Sequence, residues 1–193
     1  METQHQMTGT AGSSIAGKCL IASPHLADGN FYRSVIYILQ HDPSEAFGLI
    51  INRPSSHSVR QAVQSVCDVD FSFDDSLYSG GPVEGPLFAL HDQTDVETYL
   101  ETGLANCSTQ HDALLALFDR KCRLRVFDGY AGWGAGQLDE ELAAGGWLVA
   151  SLTANELFGE SDHLWELLVN RVGSQILGDS LAVSKMPSDP SMN

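Results

Sequence analysis

GYAGWGAGQLDEEL, Gly129 to Leu142, carries four glycines in its first eight residues and then three consecutive carboxylates, Asp139, Glu140 and Glu141. Its reading decides the surrounding fold, because it joins two apolar runs, CRLRVF (Cys122 to Phe127) and WLVAS (Trp147 to Ser151). The spacing is not GxGxxG. Carboxylates in the first turns of the helix that Gln137 begins already complement its N-terminal partial charge, so a phosphate brought there would face three like charges. Glycine permits positive φ and close approach of backbone segments. The stretch therefore reads as an architectural turn: it leaves a strand, presents or buries Tyr130 and Trp133, and enters a helix that stops at Gly145-Gly146.

Working outward, KCLIAS (Lys18 to Ser23), SVIYILQ (Ser34 to Gln40) and FGLIIN (Phe47 to Asn52) are short Ile-, Val- and Leu-rich runs bounded by Pro24, Pro43 and Pro54. They read as buried strands, as do LFALH (Leu87 to His91) and the two runs flanking the glycines. Helical spacing joins Val59, Ala62, Val63 and Val66 behind a Ser58 cap, and Leu114, Leu115, Leu117 and Phe118 behind an Asp112 cap. A last helix, capped by Ser161 with Asp162 in its first turn, presents Leu164, Leu167, Leu168 and Val172 and is expected to end at Gly173. Strands and long helices do not alternate regularly, which favours α+β with a mixed sheet over a doubly wound parallel fold. One domain is expected over 15–183, with disordered polar tails at 1–14 and 184–193.

The chain has 193 residues, 43% hydrophobic and 18% charged, enough for one sizeable core. Ten Lys and Arg stand against 25 Asp and Glu, a formal charge of −15 whose field repels polyanions. Direct nucleic-acid binding and anionic membranes are disfavoured. No apolar run approaches the roughly 18 residues of a membrane span, and the N-terminus lacks the basic and apolar regions of a signal peptide, so a cytoplasmic location is expected. Cys19, Cys67, Cys107 and Cys122 are far apart, with no CxxC pair, and read as reduced thiols.

Several motifs fall short of the chemistry they resemble. Gly12 to Cys19 is one residue from a P-loop, but the magnesium-binding hydroxyl is missing and a strand follows where a helix is required. His41-Asp42, His91-Asp92 and His111-Asp112 are His-Asp pairs, yet His41 and His91 end strands and no HxH or HExxH spacing supports zinc. Asp68 to Ser72 opens like a calcium loop but has Phe73 at the turn glycine and Ser79 at the bidentate glutamate. Neither a metal nor a cofactor is expected. Arg120, Lys121, Arg123 and Arg125 form a basic cluster, with Arg123 and Arg125 read as a solvated strand face.

Three blocks, LIASPHLADGNFYRSVIYILQHDPSEAFGLIINRP (Leu20 to Pro54), SGGPVEGPLFALH (Ser79 to His91) and GYAGWGAGQLDEEL with Trp147-Leu148, resemble the signature blocks of the AlgH/YqgE family of bacterial proteins in order and spacing. The likeness spans about Gly17 to Leu177, and the matching positions include His41, Asn52, Arg53, Pro54, Gly80, Gly81, His91, Tyr130 and Trp133. Asp128 departs from it, standing where many members have an apolar residue. The resemblance implies a single α+β domain with a bifurcated, partly barrel-like sheet surrounded by helices. It also implies the label of transcriptional regulator and brings no established catalytic residues; the charge of −15 and the lack of a helix-turn-helix or basic arm make an indirect role, rather than DNA contact, the expectation.

Two functional readings follow. The first is a non-catalytic binding or regulatory module for an unidentified protein or small molecule, with His41, Asn52, Arg53, Gly80, Gly81, His91, Tyr130 and Trp133 as candidate surface. The second is a small-molecule enzyme with a pocket near His41, Asn52, Arg53 and His91. In both, Tyr130 and Trp133 are expected to pack against the Asn52-Arg53-Pro54 and Gly80-Gly81-Pro82 turns, so that the three blocks wall one shallow site.

Overall fold

A computed structural model describes residues 14–26, 28–65 and 69–183. The C-terminal tail, all but Ser14 of the N-terminal one, and Val66, Cys67 and Asp68 lie outside these residues. In chain order the elements are β1 (Cys19–Ala22), β2 (Val35–His41), β3 (Glu45–Ile50), β4 (Pro54–Ser58), α1 (Val59–Gln64), β5 (Ser76–Ser79), β6 (Phe88–His91), β7 (Leu100–Glu101), β8 (Asn106–Ser108), α2 (His111–Phe118), β9 (Leu124–Asp128), β10 (Ala131–Gly134), α3 (Gln137–Ala143), β11 (Trp147–Ala150), α4 (Ala154–Phe158) and α5 (Leu164–Val183). The fold is a single α+β domain built on two sheets.

The first sheet is antiparallel, in the order β10-β3-β2-β1-β11; the second is mixed, in the order β4-β5-β9-β6-β8-β7, with β5 and β9 parallel. The chain crosses between them twice, from β3 into β4 and from β9 into β10. Gly80, just past β5, joins both: it accepts from Ile50 N–H and donates to the Asp128 carbonyl, each at 2.8 Å. This shared seam is the bifurcation.

The first sheet curls. A register shift between Ile38 and Gln40 bends β2 against β3, as bulges do. Its concave face buries Leu20, Ile36, Ile38, Ile50 and Ala131 around Leu138 of α3. The curl brings the two edge strands together: Trp133 of β10 and Trp147 of β11 meet edge to face, 6.0 Å between ring centres. Both indole N–H groups donate to Glu141 Oε2 on α3, at 3.0 and 2.7 Å. No backbone ladder links β10 to β11, so the sheet approaches a barrel without closing.

The convex face and one face of the second sheet enclose the main core, where Ile21, Tyr37, Leu49, Leu90 and Phe127 pack with Leu164 and Leu168 of α5. The second sheet's other face carries Ala89 and Val126 against Val63 of α1 and Leu117 and Phe118 of α2. Full burial of each such large aliphatic side chain contributes about 1.5–3 kcal/mol. Cys19 and Cys107 are free thiols in the main core, and burial pushes each up to about 12.

The glycine-rich stretch is the main local correction. Ala131 to Gly134 is an edge strand rather than a turn: Ala131 and Trp133 are buried and Gly132 and Gly134 exposed, the period of two that a half-buried strand requires. Positive φ falls outside it, at Gly129 where β9 kinks into β10 and at Gly136 which caps α3. Ser58 closes the expected cap of α1 as a capping box with Gln61. Asp112 sits inside the first turn of α2, behind Gln110 as cap. The last helix runs through Gly173 to Val183, because an interior glycine costs only about 1 kcal/mol and Gly173 does not adopt the left-handed conformation that ends helices.

Candidate functional site

The structure distributes the polar candidate residues among separate networks. His91 ends β6 in full burial: Gln93 N–H donates to its Nδ1 at 3.2 Å, which leaves the proton on Nε2 to donate to Ser108 Oγ at 2.9 Å. Ser108 in turn donates to the Glu97 carbonyl. Burial lowers the pKa of His91, and the imidazole fastens the loop after β6 as a neutral group.

His41 ends β2 in the first sheet. Its Nδ1 accepts from Ile15 N–H at 3.3 Å, and its Nε2 lies 3.5 Å from Asp139 Oδ1. It thus ties the approach to β1 and the start of α3 to one strand end.

Asn52 and Arg53 face a third place, the 28–34 loop. Asn52 Oδ1 accepts from Val35 N–H at 2.8 Å while its Nδ2 donates to the Arg33 carbonyl at 2.9 Å, continuing the β2–β3 pairing beyond the last strand residue. Arg33 has φ 53°, uncommon for a residue other than glycine, and Asn52 holds that conformation in place. Arg53 donates to the carbonyls of Asn30 and Tyr32, and partial burial lowers its pKa. Phe31, carried by this loop, packs 6.2 Å from Trp133 and 5.5 Å from Trp147 between ring centres.

The three blocks therefore meet, but not around one site. Gly80 and Gly81 lie against the backbone of Gly129 and Tyr130, so closely that a Cβ on Gly81 would stand 2.1 Å from the Tyr130 carbonyl carbon. Asn52 and Arg53 bond to the main chain of the 28–34 loop, and it is Phe31 of that loop whose ring packs on Trp133. Trp133 turns its ring, 5% exposed, into the concave core, while Tyr130 turns the other way.

On that other side a cleft of about 580 Å³ opens between the sheets. Its walls are Phe47 of β3, Phe88 of β6, Tyr99 and Tyr130. Tyr130 stands edge-on to Phe47 at 6.1 Å and to Phe88 at 5.8 Å, and Tyr99 lies 6.4 Å from Phe47. Glu45 and Val83 border the mouth, the main chain of Gly132 and Trp133 forms one side, and Tyr99 is 57% exposed. The volume falls within the range of small-molecule sites. Sequence reasoning found Tyr130 but missed Phe47, Phe88, Tyr99 and Glu45. Register was the missing signal: Gly132 pairs with Phe47 and Gly134 with Glu45, which puts two glycines beside a ring and a carboxylate on one face.

The basic cluster is also corrected. Arg125 is buried, donating to the carbonyls of Ile51 at 2.9 Å and Gly159, with its guanidinium 4.4 Å above the centre of the Tyr78 ring. Burial lowers its pKa. The alternation of β9 does place Arg125 opposite Val126, but that face is covered by the α4–α5 connection. Arg125 borders a second cleft of about 450 Å³ together with Asp75 and Glu160. Among the described residues no group of three or more His, Cys, Asp and Glu is placed to hold a metal ion, and no helix is long and apolar enough to cross a membrane.

Comparison with known proteins places this architecture. The profile of the AlgH-like family matches residues 19–177. A UPF0301 protein of Chlorobium luteolum is 34% identical over 186 residues, covering 92% of this chain and 94% of its own, and one of Myxococcus xanthus is 38% identical over 166 residues, covering 83% and 92%. The solution structure of the AlgH protein from Pseudomonas aeruginosa superposes with a TM-score of 0.69 at 30% identity, over 95% of this chain and all of the other. The crystal structure of a Corynebacterium diphtheriae protein, 23% identical over 83% of this chain and 88% of its own, shares the fold with a TM-score of 0.66. With its profile match spanning both sheets and all three sequence blocks, the chain belongs to the AlgH-like family.

Proposed function

We propose that the protein is a non-catalytic binding module of the cytoplasm and that the cleft walled by Phe47, Phe88, Tyr99 and Tyr130 is its binding surface. The carrying observation is the contrast between four aromatic rings gathered around a concavity, with Tyr99 exposed and Phe47 and Tyr130 half-buried, and polar candidates that are spent on structure. Apolar walls with few polar groups are what small-molecule sites offer. His41, Asn52, Arg53 and His91 bond mainly to main-chain groups, Gly80 and Gly81 hold the seam, and Trp133 supports the cleft from behind. Any part in transcriptional regulation is then indirect, through what the cleft binds: a surface carrying −15 lacks the phosphate-neutralising charge that duplex binding requires.

Mass spectrometry of the purified protein for co-purifying compounds, followed by thermal-shift titration of each, tests the reading. A compound that stabilises the protein but not Tyr130→Ala supports it. A compound that is chemically turned over supports the enzyme reading instead. Titration with duplex DNA at low salt is expected to give no saturable micromolar binding, and such binding would count against an indirect role.

A further inference from the structure

We propose that the cleft binds a small organic cation, an ammonium or methylated ammonium on a compact apolar body; this rests on the reading of the cleft as the binding surface. Aromatic faces carry negative potential, and cations seat on them most strongly where water is excluded. Here Phe47, Phe88, Tyr99 and Tyr130 surround one concavity. Glu45 is the charged side chain at its border, and no Lys, Arg or His is among the described residues that line it. Gln40 donates to Glu45 Oε1 at 3.0 Å, while Oε2 makes no hydrogen bond among the described residues, so one carboxylate oxygen is left for a ligand. A neutral ligand would shed water from that carboxylate without replacing it, and an anion would meet both it and the field of −15.

The cleft side is open because β10 carries glycine there. A Cβ on Gly132 would meet the Tyr130 ring at 3.1 Å, and one on Gly134 would meet nothing within 4 Å. A small molecule fits this space better than an extended peptide. Tyr130 already exchanges both backbone hydrogen bonds with Val83, at 2.9 and 3.0 Å, and Gln137 occupies the Gly134 N–H, so Gly132 is the one residue of the edge left between them for strand addition.

The test uses three probes of nearly one shape on the full-length protein: choline, its uncharged isostere 3,3-dimethylbutan-1-ol and the anion 3,3-dimethylbutanoate. Titrations are followed by amide chemical shifts. Choline is expected to shift residues 45–47 and 130–134 with a Kd at least about fivefold below that of the alcohol, and the anion to bind weakest. Glu45→Gln, at an exposed position that leaves the fold intact, should narrow the ratio of choline to alcohol to less than about twofold, and Gly132→Leu should abolish binding of both. Equal or tighter binding of the alcohol in the cleft would overturn the cation assignment while leaving the cleft as a binding surface. No shift in those residues with any of the three probes would remove the cleft reading itself. Choline shifts confined to other acidic surfaces would also overturn the proposal.

Discussion

Two pairs of glycines, one at the seam between the sheets and one on β10, meet opposite surroundings. Gly80 and Gly81 press on main chain: added Cβ atoms would lie 2.2 Å from the Gly129 oxygen and 2.1 Å from the Tyr130 carbonyl carbon. Gly132 and Gly134 face space, with the Tyr130 ring alone near the first and nothing near the second. The seam glycines let two sheets meet backbone to backbone, whereas the cleft glycines keep a surface concave. Glycine content alone therefore does not distinguish a fold constraint from a binding feature; what a side chain would strike does.

The contrast is broken most directly at the seam. Gly81→Val should prevent stable folding, or cost about 3 kcal/mol or more, because backbone cannot give way as a side-chain tip can; urea denaturation reads it. If that variant melted like the parent, the seam would be no tighter than the cleft. Trp133→Ala should cost about 3–5 kcal/mol on the same measurement, since it empties a buried ring and removes one of the two indole donors to Glu141. A Trp133 variant of parental stability that lost ligand binding would move Trp133 from the support of the cleft to its recognition surface.

A smaller effect sharpens the comparison through pH. His91 has its pKa depressed in the folded state by burial, so the unfolded chain takes up the proton first. Its contribution to stability is complete above the unfolded value of about 6.5 and is lost as pH falls through that value toward the folded one. Stability should therefore drop as pH falls below about 6.5, and His91→Gln should show a shallower drop. Smallest of all, Gly134→Ala should change stability by less than about 0.5 kcal/mol, as an exposed substitution with no neighbour to strike. A large loss there would put the cleft glycines in the same class as the seam.

The sequence made the interior legible and the rims obscure. β1, β2, β3, β6, β9 and β11 are apolar runs whose burial follows from composition, and their boundaries fall within two residues of the expected ones. β10 hid because its outward positions are glycines, so an alternating pattern read as a turn. β4, β5, β7 and β8 are short, and α4 begins with a Thr153 and Glu156 capping box that passed unread. Polar candidates were findable as residues but not as partners: Asn52 serves Val35 and Arg33, from 17 and 19 residues away, and periodicity says nothing of such pairings. Arg125 looked solvated because alternation assigns a face without saying what covers it. The cleft needed the register of β10 on β3, a nonlocal fact.

Glu141 gives the curled sheet an unusual mechanical character. A hydrogen-bonded barrel spreads its closure over many peptide groups, so no single one governs the circumference. Here one oxygen atom clasps both rims of the sheet through two indoles, and the load concentrates on a point. Such a shell opens at its clasp before its walls fail: β10 would part from β11 while the β10–β3 and β1–β11 ladders hold. Two of the three tryptophans of the chain sit on that clasp, so their fluorescence reports the aperture rather than the melting of the whole. Because β10 is also a side of the aromatic cleft, the stiffness of the clasp sets how constant the shape of that cleft can be.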